Sequence, residues 1–392
     1  MKNPKLTIRP RWKALSCFSV ALACLALWPT FSQAANPRQD RASTPGTVYT
    51  ASNSSSGNEV FAYARAANGA LTFSASYPTG GTGNDVELGG LGNQGGVVLS
   101  PDGRWLLVVN PGSNDVSAFA VQSDGSLLLT DTEPSGGVLP TSVTISRNLV
   151  YVLNAAEAGN IAGFTLNNQG DLGPILGSIQ PLSGMAITAP AQIQFSPRGG
   201  ALVVTEKATN LIDTYAVARN GVASAPMVNA SVGKTPFGFA FSRDGHLVVS
   251  EAFGGQPDIG AVSSYSANSR GELNVITPSE PTHAAAPCWV VITKSGNFAY
   301  ITNTGSGSVT GFRINRASGQ LTQLDADGVT AETGEGSVPI DEALSADSRF
   351  LYVLNAGTHE IIGFRVNNTN GILAETTLIG GLPPAAFGLA AR

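Results

Sequence analysis

Short runs of β-branched and aromatic residues, each closed by one polar residue, recur along the chain. They read LLVVN to Asn110, VYVLN to Asn154, LVVTE to Glu206, LVVSE to Glu251, AYITN to Asn303 and LYVLN to Asn355, with VYTAS to Ser52 as a seventh copy. Runs this short, unbroken and rich in Val, Ile and Tyr predict strands, and no 3.6-residue helical period competes with them. Upstream of most copies lies a second short apolar run and a tight turn, as in VVLSPDGRW and FAFSRDGHL. Ser, Pro, Asp and Gly in that turn reverse the chain between two antiparallel strands. Downstream come an aromatic residue, such as Phe119, Tyr215, Phe312 or Phe364, and then a turn with Gly followed by Leu, as in DGSL, SGQL and NGIL.

The unit is therefore four short strands. Its anchors Ser100, Ser146, Ser196, Ser242, Thr293 and Ser345 are spaced by about 46–52 residues, close to the propeller repeat. Six complete units begin near residues 94, 140, 190, 236, 287 and 339, and the N-terminal copy near 47–77 has three strands. The apolar C-terminal end AAFGLAAR supplies a fourth. The expected fold is an all-β, seven-bladed β-propeller whose last blade joins both ends of the chain, because an open ring would leave unpaired edge strands.

The first residues fall outside that repeat. Lys2, Lys5, Arg9, Arg11 and Lys13 precede an apolar run from Ala14 to Trp28 and a Ser32-Gln33-Ala34 site. This predicts a cleaved signal peptide over 1–34 and a short linker over 35–46 before a single domain over 47–392. The expected product is exported, periplasmic or secreted, without a membrane segment once the signal is removed, and monomeric. The whole chain carries a net charge of −5, and removing those five basic residues makes the remainder more acidic still. Nucleic acid is thus not an expected partner. Cys17 and Cys24 lie in the signal region, which leaves Cys288 without an intrachain partner.

Gly makes up 46 residues and charged groups only 12%, so the few ionisable residues at strand ends stand out as candidates. The ends of the second strands should share one rim around the central channel with the starts of the first strands. Asn suits a turn after a strand, but Glu206 and Glu251 replace it in two consecutive blades, with Lys207 beside the first. These three are the expected catalytic groups, Glu206 or Glu251 as general base and Lys207 for the oxyanion. Gln192, Asn303, Asp341, Glu342, Trp289, Asn110, Asn154 and Asn355 are the expected substrate contacts. The three His residues are far apart in sequence, so no metal site is expected on them. No GxSxG elbow or phosphate-binding glycine loop appears in a strand-to-helix setting.

The SPDG-type turns, the VVN and YVLN strand ends and the Gly-x-Leu turns resemble the lactonase-like seven-bladed propellers, which include 6-phosphogluconolactonase and 3-carboxymuconate lactonising enzyme, and the wider YVTN-type repeats. The resemblance spans about 47–392 and implies lactone chemistry on a small lactone or carbohydrate-like ligand, with no cofactor. Where the family carries a Pro-His-x-His or Cys-His element, this chain has Ala189-Pro190-Ala191-Gln192-Ile193, and the family's Asp-Arg element falls on Asn210-Leu211. Two other readings stay open. One is a noncatalytic propeller that binds a ligand or protein on the rim. The other is a metal-dependent lactonase similar to the six-bladed gluconolactonase-like propellers, with a calcium-type ion on Glu, Asn and Asp oxygens.

Overall fold

The computed structural model describes residues 44–87, 92–268 and 271–392. The expected signal peptide lies outside the described residues. The remainder forms seven antiparallel sheets, each a blade. Blade 1 combines Gly46–Ala51, Glu59–Arg65 and Leu71–Pro78 with the C-terminal Phe387–Ala391. Blades 2 to 7 follow in chain order over 97–134, 140–181, 190–230, 236–281, 287–332 and 339–380. Blades 3 and 6 depart from the expected four strands, because their outer strand is broken into two pieces, Leu172–Pro174 with Gln180–Pro181 and Leu321–Gln323 with Ala331–Glu332.

The burial pattern explains the unbroken apolar runs. A second strand lies between neighbouring blades on both faces, so Trp105–Asn110 and Phe350–Asn355 are buried at every position. A strand with two buried faces has no polar side to alternate with. The outer strands face solvent and read accordingly, as Leu71–Pro78 does.

Second-strand tyrosines fasten one blade to the next. Tyr49, Tyr151, Tyr300 and Tyr352 donate their hydroxyls to the carbonyls of Gly125, Gly221, Gly371 and Gly69 at 2.8, 2.6, 2.8 and 2.8 Å. Each of those glycines sits in the outer turn of the following blade with φ between 86° and 95°, or 89° at Gly125, a region that a side chain would strain. These glycine turns, Gly-x-Leu at Gly69, Gly125 and Gly371 and Gly-Val-Ala at Gly221, are thus sockets for the tyrosine of the preceding repeat.

Ring closure rests on the C-terminal strand. Val48 pairs with Ala391 and Tyr49 with Ala390, while Phe387 and Leu389 are 4% and 6% exposed. Burying one such side chain contributes about 1.5–3 kcal/mol, and the strand also satisfies the inner edge of blade 1. Deleting Phe387–Arg392 is therefore expected to leave no cooperatively folding monomer, as read by circular dichroism and gel filtration. A truncated chain that melts cooperatively as a monomer would show that the ring does not need this closure.

Candidate functional site

Antiparallel pairing fixes two faces. On the entry face the innermost strands begin and the second strands end; on the hairpin face lie the turns that join first to second and third to fourth strands. The polar second-strand ends are on the entry face, but they do not line the channel. Asn110, Asn154, Asn303, Asn355, Glu206 and Glu251 are all fully buried inside the ring of blades. Asn154 Nδ2 donates to the Ser135 carbonyl at 3.1 Å and Asn355 Nδ2 to the Thr333 carbonyl at 3.1 Å. Asn110 Nδ2 donates to Ser117 Oγ at 2.7 Å, and Asn303 Nδ2 to Thr310 Oγ1 at 2.8 Å. These side chains clamp the third strand or the loop arriving from the preceding blade, and none of them is exposed to the channel.

The two glutamates follow from the same geometry. In blades 4 and 5 the arriving loop offers an N–H in place of a carbonyl, and an acceptor must meet it. Glu206 Oε1 accepts from Ser183 N at 2.9 Å, and its Oε2 accepts from Ser183 Oγ at 2.7 Å and Thr209 Oγ1 at 2.6 Å. Glu251 accepts from Gly233 N at 2.8 Å, Ser263 Oγ at 2.5 Å and Ser279 Oγ at 2.6 Å. Gly233 passes so close that a Cβ there would lie 2.1 Å from Glu251 Oε2. The expectation that Glu206 and Glu251 converge with Lys207 on one channel mouth is therefore corrected. Each carboxylate is saturated by its own blade and the loop arriving at it, and is fully buried.

Glu206 has a second acid beside it. Asp213 is fully buried, and neither of its oxygens receives a well-aligned hydrogen bond. Burial first, and the neighbouring Glu206 carboxylate second, raise its pKa to about 8. A protonated Asp213 carboxyl relieves the repulsion that a second buried charge would meet there.

Asp341 and Glu342, on the innermost strand of blade 7, are also buried, at 3% and 2% exposure. Adjacent strand residues point to opposite faces. Asp341 turns to the Leu389 backbone of blade 1 and Glu342 to the Val291 backbone of blade 6. Burial holds both carboxyls well above the usual carboxylate range. Gln192 of blade 4 turns to blade 5 in the same way. Its Oε1 accepts from Phe239 N at 2.6 Å and its Nε2 donates to the Phe239 carbonyl at 2.9 Å. Only Gln192 satisfies innermost-strand backbone of the next blade through well-aligned hydrogen bonds; both Glu342 oxygens lack one, and all three side chains are buried rather than open to the channel.

What the structure does bring together is Lys207, Trp289 and a segment around Gln94 that the sequence places only at the entry of a first strand. Residues 92–96 leave blade 2, whose innermost strand is reduced to Val97–Leu99, and cross the channel. Gln94 N donates to the Ala191 carbonyl of blade 4 at 3.0 Å. The Gln94 side chain donates to the Val290 carbonyl of blade 6 at 2.8 Å and accepts from Val290 N at 3.1 Å. Trp289 Nε1 donates to the Asn93 carbonyl at 2.7 Å, and Lys207 Nζ to the Gly92 carbonyl. Gly238 makes room for this crossing, since a Cβ there would meet Gln94 Oε1 at 2.2 Å. The available signal was the Gly92-Asn93-Gln94-Gly95-Gly96 run, too polar and glycine-rich for an innermost strand.

Lys207 is only partly buried. Its Nζ lies 4.8 Å from the Phe237 ring centroid, and burial lowers its pKa to about 8. Such an amine is partly unprotonated near neutral pH and can accept a proton. Cys288 is close by, but burial pushes its thiol up to about 12, so it stays a neutral thiol. Among the described residues no three of His, Cys, Asp or Glu converge as a metal cluster.

The family model described as lactonase, 7-bladed beta-propeller matches residues 46–188 and 257–389. No curated protein sequence matches the chain. Its fold is similar to that of a periplasmic gluconolactonase from Pseudomonas aeruginosa, at 18% identity and a TM-score of 0.67, over 88% of this chain and 99% of that one. A proposed 6-phosphogluconolactonase from Bacteroides uniformis matches equally, at 18% identity, a TM-score of 0.67 and the same coverage. One from Bacteroides fragilis matches at 19% identity and a TM-score of 0.64, over 90% of this chain and 99% of that one.

Proposed function

Because the chain belongs to the lactonase family of seven-bladed β-propellers, we propose that it is an exported hydrolase that opens an uncharged, carbohydrate-like lactone at the entry-face mouth of the channel. The observation that carries this reading is Lys207, a partly buried lysine whose amine lies against the channel-crossing segment with its pKa lowered to about 8. In its neutral form it takes a proton from water. The water oxygen adds to the lactone carbonyl, the acyl C–O bond breaks, and the ring oxygen leaves as an alcohol once protonated, giving a hydroxy acid. Trp289 and Phe237 hold that corner of the mouth together, their ring centroids 5.1 Å apart.

The charge of the entry face supports an uncharged substrate. Lys207 and Lys234 are its only lysines or arginines among the described residues, against Glu59, Asp85, Glu157, Asp258, Glu335 and Glu360. Such a field disfavours a phosphorylated lactone and helps a hydroxy-acid anion to leave. The leader-like segment 1–34 supports export, and one fold neighbour is called a periplasmic gluconolactonase.

The test is ring opening by the purified protein, followed by acid release, on neutral aldonolactones and their phosphorylated counterparts, with and without chelator. Turnover of the neutral lactones in chelator, with the phosphorylated ones slower, is expected. Failure to open any lactone would leave the noncatalytic binding reading in the lead, and loss of turnover in chelator would favour the calcium-type reading.

A further inference from the structure

The two faces of the ring differ sharply in charge. Apart from Lys207 and Lys234, every described lysine and arginine lies on or near the hairpin face. Several of those are matched: Arg104 with Asp102 at 2.7 Å, Arg316 with Asp244 at 2.9 Å and Arg349 with Asp347 at 3.9 Å. Those on blades 3 to 5 differ. Arg147, Arg198, Arg219 and Arg243 are exposed, and none of them forms an ion pair with a carboxylate among the described residues. Asp244, next to Arg243, is already held by both Arg316 Nε and Nη2.

These four arginines line two neighbouring cavities. One, of about 500 Å³, lies between blades 4 and 5 and includes Arg198, Arg243, His246 and the half-buried Phe241. The other, of about 220 Å³, lies between blades 3 and 4 and includes Arg147 and Arg219. Both share the turn between the first two strands of blade 4, with Ser196, Pro197 and Gly200 lining the first and Gly199 the second. A ligand that uses all four guanidinium groups must therefore pass over that turn and carry anionic groups on either side of it.

We propose that this groove binds a linear acidic polysaccharide segment, with sugar carboxylates in the two arginine-lined cavities. Arginine presents a planar fork that matches a carboxylate with two parallel hydrogen bonds. Ser196, Ser146, Thr165 and Asn148 supply hydroxyl and amide partners for sugar hydroxyls along the same walls. The cavities are concave and separated by a ridge, which suits a jointed chain better than a flat anionic lipid surface. They also lack the exposed aromatic platforms on which nucleic-acid bases stack, since Tyr215 is buried and Phe241 half-buried. The groove is on the face opposite Lys207, so this inference stands or falls independently of the lactonase reading.

The test uses the intact protein and titration calorimetry with oligogalacturonate as probe, alongside its methyl-esterified form, polyphosphate and single-stranded DNA of similar length. Binding of oligogalacturonate that weakens with salt and is absent for the ester is expected. The Arg147→Ser/Arg219→Ser and Arg198→Ser/Arg243→Ser pairs should each weaken it at least tenfold, with the melting temperature and any lactone turnover unchanged. No measurable binding of oligogalacturonate, equal binding of the ester, or DNA or polyphosphate bound as tightly as the sugar would overturn the proposal. So would wild-type affinity in both double variants.

Discussion

Raising the pH from 4 to 8 is expected to destabilise this propeller steadily, and Asp213→Asn is expected to remove a large part of that loss. Asp213 has a folded pKa of about 8 against an ordinary value of 3.8. Below the ordinary value the carboxyl is protonated in both states and the native state has its full advantage. Between the two values the unfolded chain releases the proton while the native state keeps it. Stability then falls by ~1.4 kcal/mol per pH unit. Integrated over the window, this one group accounts for at most about 5 kcal/mol, and Asp341 and Glu342 act in the same direction because burial raises them too. An asparagine at 213 has no proton to lose and keeps the volume. Melting temperatures of wild type and Asp213→Asn across this range check the expectation. A flat wild-type profile, or a variant with the wild-type slope, would mean that Asp213 is ionised in the fold.

The same residues show how far the sequence could be read. The blades were legible because each is built from strands adjacent in sequence, and the turn chemistry repeats with them. The closing strand Phe387–Ala391 was legible because an incomplete first blade needs a partner. The polar ring was legible in position but not in direction. The side chains of Asn154, Asn355, Glu206 and Glu251 all face the arriving loop, and whether an amide or a carboxylate fits there depends on what that loop offers, a carbonyl at Ser135 and Thr333 but an N–H at Ser183 and Gly233. Nothing local to Glu206 or Glu251 records that choice. The carboxyls of Asp341 and Glu342 were likewise visible as unusual, while their burial between blades needs the ring to be closed. The crossing by residues 92–96 was the least legible, since a glycine-rich run specifies permission to deviate rather than a destination.

Adjacent residues can part company at a strand end, and that separates Glu206 from Lys207. The first turns into the blade to hold Ser183; the second turns toward the channel-crossing segment. In the proposed reaction, the acid–base function falls to the amine. A lysine that works as a general base is active only when neutral, so kcat/KM for lactone opening should rise with pH through about 8, the value to which burial lowers Lys207. Only ~10% of the amine is neutral a full unit below that value. Lys207→Met should lower kcat/KM by ~10²–10⁴-fold, the usual contribution of general acid–base catalysis. Lys207→Arg separates the two possible roles of this side chain. Arginine keeps the positive charge but does not deprotonate, so it should be nearly as impaired as the methionine variant. Recovery of activity in Lys207→Arg, with the limb near pH 8 gone, would show that the charge stabilises an oxyanion and that the base lies elsewhere. Full activity in Lys207→Met would remove Lys207 from the chemistry altogether, and with it the assignment of the reaction to this mouth of the channel.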